Sequence, residues 1–280
     1  MKRVVTSEKK IIILTGSELR HEFFRKYLAS KKNITVMSSY CESTEKGLTN
    51  KVKKTSEPNS LKMNHILDRE KSEIDYFSLF LDYISDNSKP IFIKSGHINN
   101  EAIVKKIINL NPDLVVAYGC SIIRGELLKH FEGRFLNVHL GLSPYYRGSG
   151  TNYWPLVNCE PEYLGATYMH IDAGIDTGLI IHQIRPKVYP LDTPSQIGNR
   201  FIIKMTKVYA RLILNYENLD STEQISIKTG KEKIYKNKDY SSESVRILYN
   251  NIKNGMLIKY VQEQDKRCND VPIIKNKILS

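Results

Sequence analysis

Long apolar runs are missing from this 280-residue chain. Stretches such as Ile11–Leu14 fall far short of the roughly 20 apolar residues that a membrane-spanning helix needs. The start, MKRVVTSEKK, is basic but has no apolar segment behind it, so no secretory signal is expected. Cysteine is scarce. The four residues (Cys41, Cys120, Cys159 and Cys268) are scattered and form no C-x-x-C pair, which argues against a structural zinc site or a disulfide framework and fits a reducing, cytoplasmic setting. Internal repeats and low-complexity tracts are also lacking. What is present is ordinary for a globular protein, with 41% hydrophobic and 26% charged residues. The length allows one large core and a smaller appendage.

Charge is the exception. The formal net charge is +12, and residues 226–280 hold 12 Lys or Arg against 6 Asp or Glu. Such a field draws in anionic ligands such as nucleotides, folate glutamates or nucleic acid. The excess is not arranged as one dense basic run, and a solvated lysine-rich surface accounts for it equally well.

The chain alternates between strand-like and helix-like segments. Lys10–Ser17 reads as a buried strand with a Gly-containing turn, and Ser17 is placed to cap a helix over 18–30, where Phe23, Phe24, Tyr27 and Leu28 recur at helical spacing. Ile34–Met37 reads as a second strand, completing a βαβ unit. Residues 41–70, rich in Lys, Ser, Thr, Asn and Glu, read as an irregular insertion, followed by a helix over 71–84. The alternation resumes with strands at 90–94, 113–118 and 134–139 and helices at 100–110 and 125–130. Pro194–Tyr216 is the longest helical pattern, with a proline at its first position. The expected fold class is α/β, Rossmann-like, with a mostly parallel sheet flanked by helices. Residues 1–216 make the main domain and 217–280 a small C-terminal appendage. Ligands collect at the carboxyl ends of strands in such sheets, so 118–123 and 137–150 are expected to face one crevice.

Residues 135–183 carry the chemistry. In N-V-H, Asn137 and His139 share one face of a strand. An asparagine amide can donate to a carbonyl oxygen that gains charge during acyl transfer, and a nearby imidazole can take and return protons. Asp176 lies in the turn A-G-I-D-T-G, from which a carboxylate could orient that imidazole or an attacking amine. No Ser or Cys stands as a nucleophile beside them. The simplest reaction is direct attack by a bound amine on a bound acyl donor. Singly, each residue has a plainer reading: Asn137 as a turn cap, His139 as a core histidine, Asp176 as a turn residue. His139, His170 and His182 lack a helical H-x-x-x-H pair, so no metal site is expected. Gly148–Gly150 is too short a fragment for a dinucleotide fingerprint.

Together, N-V-H-L-G-L-S-P-Y-Y-R-G and H-I-D-A-G-I-D-T-G resemble the folate-dependent formyltransferase family, which includes glycinamide ribonucleotide, methionyl-tRNA and nucleotide-sugar N-formyltransferases. The preceding D-L-V-V-A-Y-G resembles the strand leading to that family's folate pocket. The resemblance covers residues 90–215 and implies Asn137, His139 and Asp176 as the catalytic trio and 10-formyltetrahydrofolate as the formyl donor. It implies that Cys120, Ser121, Ile122 and Ile123, with Asp172 and Gly174, line the pterin, largely through backbone groups. Tyr146, Arg147, Ser149 and Thr151 are candidates for the acceptor, with loop packing as the alternative for each. The chain departs from the family pattern at Leu140–Ser143, where the family usually has P-S-L-L.

The resemblance leaves the acceptor open. Methionyl-tRNA formyltransferases carry a C-terminal barrel of about a hundred residues, whereas the residues after 216 are fewer and include a helix. Glycinamide ribonucleotide enzymes usually stop near the end of the core. A nucleotide-linked amino sugar, a small and anionic acceptor, is the expected partner. Nucleic acid is not favoured, no membrane is expected, and a homodimer is compatible. A formyl-folate hydrolase and a non-catalytic binding protein are the other readings.

Overall fold

The computed structural model describes residues 8–45, 47–174, 176–224 and 232–279. The chain runs β1 (Lys9–Gly16), α1 (Leu19–Ala29), β2 (Ile34–Glu42), α2 (Leu48–Thr55), α3 (Leu61–Tyr83), β3 (Pro90–Ile93), α4 (Glu101–Leu110), β4 (Leu114–Tyr118) and α5 (Gly125–His130). It continues with β5 (Phe135–His139), β6 (Tyr146–Gly148), α6 (Trp154–Val157), β7 (Ala166–His170), β8 (Ile180–Ile184), α7 (Pro194–Leu214), β9 (Lys233–Tyr235), α8 (Ser242–Lys253) and α9 (Met256–Asn269).

Seven strands form one sheet in the order β3-β2-β1-β4-β5-β7-β8. The pairs from β3 to β5 are parallel, and β7 and β8 add on as an antiparallel edge. β1 and β4 are buried along nearly their whole length, as strands covered on both faces must be. One face packs on α1, α3 and α7 through Phe24, Phe77, Met205 and Tyr209, and the other on α4 and α5 through Ile107, Leu127 and Phe131. Tyr209 pins two strands, since its hydroxyl donates to the Leu136 carbonyl at 2.7 Å and the Ala117 carbonyl at 3.3 Å. The chain winds from β1 outward to β3 and then returns to place β4 on the other side of β1. That reversal opens a crevice beyond the strand ends. Among the described residues no helix is long and apolar enough to cross a membrane.

Two sequence expectations need correction. Residues 41–70 are not irregular: β2 runs on to Glu42, and α2 and the first ten residues of α3 occupy most of the rest. The buried stripe of α3 is His65, Ile66, Glu73, Phe77 and Leu81, so two polar residues interrupt the apolar period that marks a helix. Ser60, whose side chain accepts from the Met63 amide at 3.3 Å, was the available start signal. The cap of α1 is Glu18 rather than Ser17.

The residues after 216 share their cores with the rest of the chain. α8 and α9 bury Leu248, Met256, Leu257 and Tyr260 against Leu142, Tyr145, Trp154 and Leu164. Leu279 returns to the main core. Ile274 pairs with Gln183 through both its amide and its carbonyl, at 3.0 and 2.7 Å.

Candidate active site

A cleft opens at the ends of β4, β5 and β7, lined by Cys120–Ile123 on one side and by Met169–Asp172, Gly174 and Asp176–Gly178 on the other, with Asn137 between them. The two segments expected to meet there do so, and the expected site residues divide by what their side chains touch.

His139 ends β5 and is buried. Its Nδ1 faces Asp176 Oδ2 at 3.2 Å, and its Nε2 faces the Tyr146 carbonyl at 3.1 Å. Both ring nitrogens therefore meet acceptors, so an imidazolium formed here would have a partner for each N–H. Asp176 stands at φ +54°, a left-handed conformation that aspartate tolerates better than most residues. That turn aims its carboxylate inward, where Oδ2 also accepts the Gly148 amide at 3.2 Å. The turn is braced by Gln224, whose side-chain amide donates to the Asp176 and Gly178 carbonyls at 2.7 and 3.0 Å. Gly178 is required by space, because a Cβ there would stand 1.9 Å from the His170 carbonyl oxygen.

Asn137 is half-buried and lines the cleft. Its side-chain amide makes no hydrogen bond to the described residues, which leaves its N–H groups for a ligand. Asp172 is exposed at the rim and builds the turn itself, accepting the Gly174 amide at 3.0 Å and the Thr177 hydroxyl at 2.8 Å. The Cys120 thiol, shielded from water and beside the Glu42 carboxylate, is pushed up to about 12, so it stays protonated and is no nucleophile.

The loop 120–124 is clamped by two residues that motif reading missed. Glu42, 4% exposed at the end of β2, accepts the Ser121 amide at 2.6 Å through one oxygen and the Gly96 and Ile98 amides at 2.8 and 3.3 Å through the other. Asn99 donates to the Ile122 carbonyl at 2.9 Å and accepts the Arg124 amide at 2.8 Å. The only signal for Glu42 was a carboxylate at the carboxyl end of a strand of a parallel sheet.

The acceptor candidates differ in how far their side chains are open to a ligand. The Tyr146 side chain is buried and committed to Glu160, Asn158 and Lys233; only its carbonyl reaches the site. Thr151, 4% exposed, donates to the Leu140 carbonyl and packs over Gly141. Within the departure at 140–143 this accounts for Gly141: a Cβ there would lie 2.6 Å from both His139 Nε2 and the Thr151 Cβ, so here Thr151 fills that space. Arg147 pairs with Glu232, and Ser149 is held by backbone bonds to Tyr235 and Trp154. Those two stay half-exposed.

His170 lines the cleft, with burial lowering its basicity, and His182 lies buried in β8 with Nδ1 accepting the Asn276 amide at 3.0 Å. Among the described residues no group of three or more His, Cys, Asp or Glu is arranged to hold a metal ion.

Known proteins with related sequences include methionyl-tRNA formyltransferase of Thermodesulfovibrio yellowstonii, 34% identical over 119 residues that cover 42% of this chain and 37% of that protein. GDP-perosamine N-formyltransferase of Brucella melitensis is 31% identical over 123 residues, 44% of this chain and 47% of that one. The matched region thus spans less than half the length of these relatives. In fold, the chain is similar to a 4-N formyltransferase from Francisella tularensis (TM-score 0.54, 20% identity, 86% of each chain). It is also similar to phosphoribosylglycinamide formyltransferase from Anaplasma phagocytophilum (TM-score 0.52, 16% identity, 82% of this chain and 99% of that one). Residues 9–213 match the family model described as Formyl transferase. That match runs from the first strand to the end of the long helix behind the sheet and takes in nearly every element that builds the cleft: the chain belongs to the formyl transferase family.

Proposed function

We propose that this protein transfers a formyl group from 10-formyltetrahydrofolate to a primary amine on a nucleotide-linked amino sugar. The observation that carries this reading is the unbonded Asn137 amide in the cleft, on the same strand as a His139 already paired with Asp176. One wall of the cleft is the clamped loop 120–123, with no charged side chain of its own, and the other is formed by Asp172, Gly174 and Asp176–Gly178.

The chemistry follows from those groups. As the acceptor nitrogen attacks the formyl carbon, the formyl oxygen gains charge, and Asn137 Nδ2–H is the donor available to it. The amine sheds a proton as the new C–N bond forms, and the departing folate nitrogen needs one. His139 is the group we assign to carry it, with Asp176 holding the ring at 3.2 Å. No covalent enzyme intermediate is required.

The choice of a small acceptor is supported by the residues after 216, which form helices α8 and α9 packed on the segment 142–164 rather than evenly spaced strands of a barrel. Relatives of both classes, tRNA and sugar, match this chain. The test is incubation with 10-formyltetrahydrofolate and a panel of amino-sugar nucleotides, glycinamide ribonucleotide and methionyl-tRNA, following loss of the donor spectroscopically. Turnover with an amino-sugar nucleotide is expected. Turnover confined to either other acceptor rejects the sugar, and formate release without any acceptor rejects transfer altogether.

A further inference from the structure

In a parallel α/β sheet the default place for a phosphate is the N-terminus of the helix after the first strand, where free amides and the helix dipole favour an anion. Here that place is taken. Glu18 caps α1, its carboxylate paired with Arg20 and 3.7 Å from both His21 Nδ1 and an Arg69 amino group. Glu73 holds the other side of the same arginines, 2.6 Å from Arg20 and 3.7 Å from Arg69 Nε. Two glutamates thus balance two arginines, and a phosphate arriving at this end of α1 would meet the Glu18 carboxylate first.

The unbalanced positive charge lies elsewhere. α2, the start of α3 and the turn after β9 enclose a cleft of about 200 Å³ lined by Lys51, Lys62 and Lys238, with Thr55, Asn237 and Tyr240. Among the described residues no carboxylate lines it. Glu57 and Asp68, close in sequence to Lys62, do not line it, Glu70 pairs with Lys53, and Asp239 accepts the Lys236 amide at 2.7 Å. Tyr240 is 8% exposed, and its buried hydroxyl has no hydrogen-bond partner among the described residues. The Lys62 ammonium stands 5.8 Å from the centre of the Tyr240 ring. The Tyr240 ring also meets that of Tyr153 at 5.4 Å. Tyr153 follows the Gly148–Thr151 loop, which touches Asp176 at one end and packs over Gly141 at the other. The cleft is therefore joined to the catalytic loop through two aromatic rings.

We propose that this lysine cleft is a diphosphate subsite, with Lys51, Lys62 and Lys238 supplying charge and Asn237 and Thr55 neutral hydrogen bonds. Its identification with the diphosphate of the acceptor rests on the amino-sugar nucleotide reading; its capacity for a polyphosphate does not. Three lysines line one cleft with no carboxylate among its described lining residues, a setting that favours a multivalent anion. The insertion at 41–70 then has a role, since it brings two of the three lysines.

Titration calorimetry with inorganic pyrophosphate at low ionic strength tests the cleft by itself. Binding to the full-length protein is expected, weakening with added salt. It should weaken about tenfold in Lys62→Ala and further in Lys51→Ala/Lys62→Ala. These side chains are on the surface, so an unchanged melting temperature is expected to accompany the loss. Equal pyrophosphate affinity in wild type and double variant, or none in wild type, overturns the subsite. The link to the acceptor is tested by kinetics. The double variant should raise KM for the amino-sugar nucleotide with kcat held, and an unchanged KM overturns that link. If wild type formylates no amino-sugar nucleotide, the proposed acceptor fails, while the pyrophosphate result still decides the cleft.

Discussion

Replacing Glu42 with glutamine is the sharpest probe of how the donor side of the cleft is built. The carboxylate is almost fully enclosed and accepts three backbone N–H groups from two segments, Gly96 and Ile98 before α4 and Ser121 after β4. Each such bond to a charged acceptor is worth about 1.5–3 kcal/mol. Glutamine keeps the shape but offers one acceptor atom. Whichever way it turns, its NH2 faces an amide donor, so at least the 2.6 Å bond to Ser121 or the pair to Gly96 and Ile98 is lost. The expected cost is about 3 kcal/mol, divided between global stability and the order of the loop 120–124. Asn99 still holds that loop at Ile122 and Arg124, so the protein should fold. A looser loop must be ordered again when the donor binds. If about 1.4 kcal/mol of the loss appears there, the KM for the formyl donor rises about tenfold with kcat little changed. Thermal unfolding and steady-state kinetics on wild type, Glu42→Gln and Asn99→Ala together decide it. A Glu42→Gln protein with wild-type melting temperature and wild-type donor KM would refute the clamp.

Three further outcomes follow from the same coordinates. His139→Ala should lower kcat by at least about a hundredfold while donor affinity stays near wild type, because the imidazole acts on protons and only Asn137 of the pair lines the cleft; full activity in that variant removes His139 from the mechanism. Gly178→Ala should destabilise by more than about 2 kcal/mol, since the added methyl would collide with the His170 carbonyl, and an unchanged urea midpoint contradicts the turn geometry. His65 and His182, both buried and neutral, are pulled down to about 4 by burial, with nearby cations adding to the shift. Between pH 6.5 and 4 the unfolded chain binds protons that the folded one refuses, so the stability present above pH 6.5 is lost as pH falls, by about 3 kcal/mol for each histidine. Urea titrations at pH 7 and 4.5 should show this fall, and His65→Phe should flatten part of it; the same slope in both proteins assigns the titration elsewhere.

The sheet was legible because its strands are short apolar runs that end in turn residues, and β4 and β5 are read within one residue of their limits. The trio was expected because N-x-H on a strand and D-x-G in a turn are each ordinary but together are not, and the fold brings His139 and Asp176 to 3.2 Å. What stayed hidden has two physical causes. α3 hides its first turns because its buried face is shared by His65 and Glu73, side chains that find their partners only in the folded protein. The burial of two acceptor candidates, Tyr146 and Thr151, was hidden because a polar side chain in a glycine-rich loop looks exposed from sequence. Burial of Tyr146 and Thr151 depends on α9, β9 and Gly141, which lie elsewhere in the chain or take a residue type unusual for the family. Glu42 illustrates a third limit, because its partners are backbone amides, which carry no residue signature.

β6 pairs with β9 over Tyr146–Gly148, and Gln224 holds the carbonyls of the turn that bears Asp176. The tail of this protein is therefore no interchangeable module. A chimera that grafted the last sixty residues of a relative onto this core would keep its sheet but lose the strand beside the imidazole's carbonyl partner and the brace behind the carboxylate. The geometry around His139 and Asp176 is thus tied to the last third of the chain, and a change in one would have to carry the other with it.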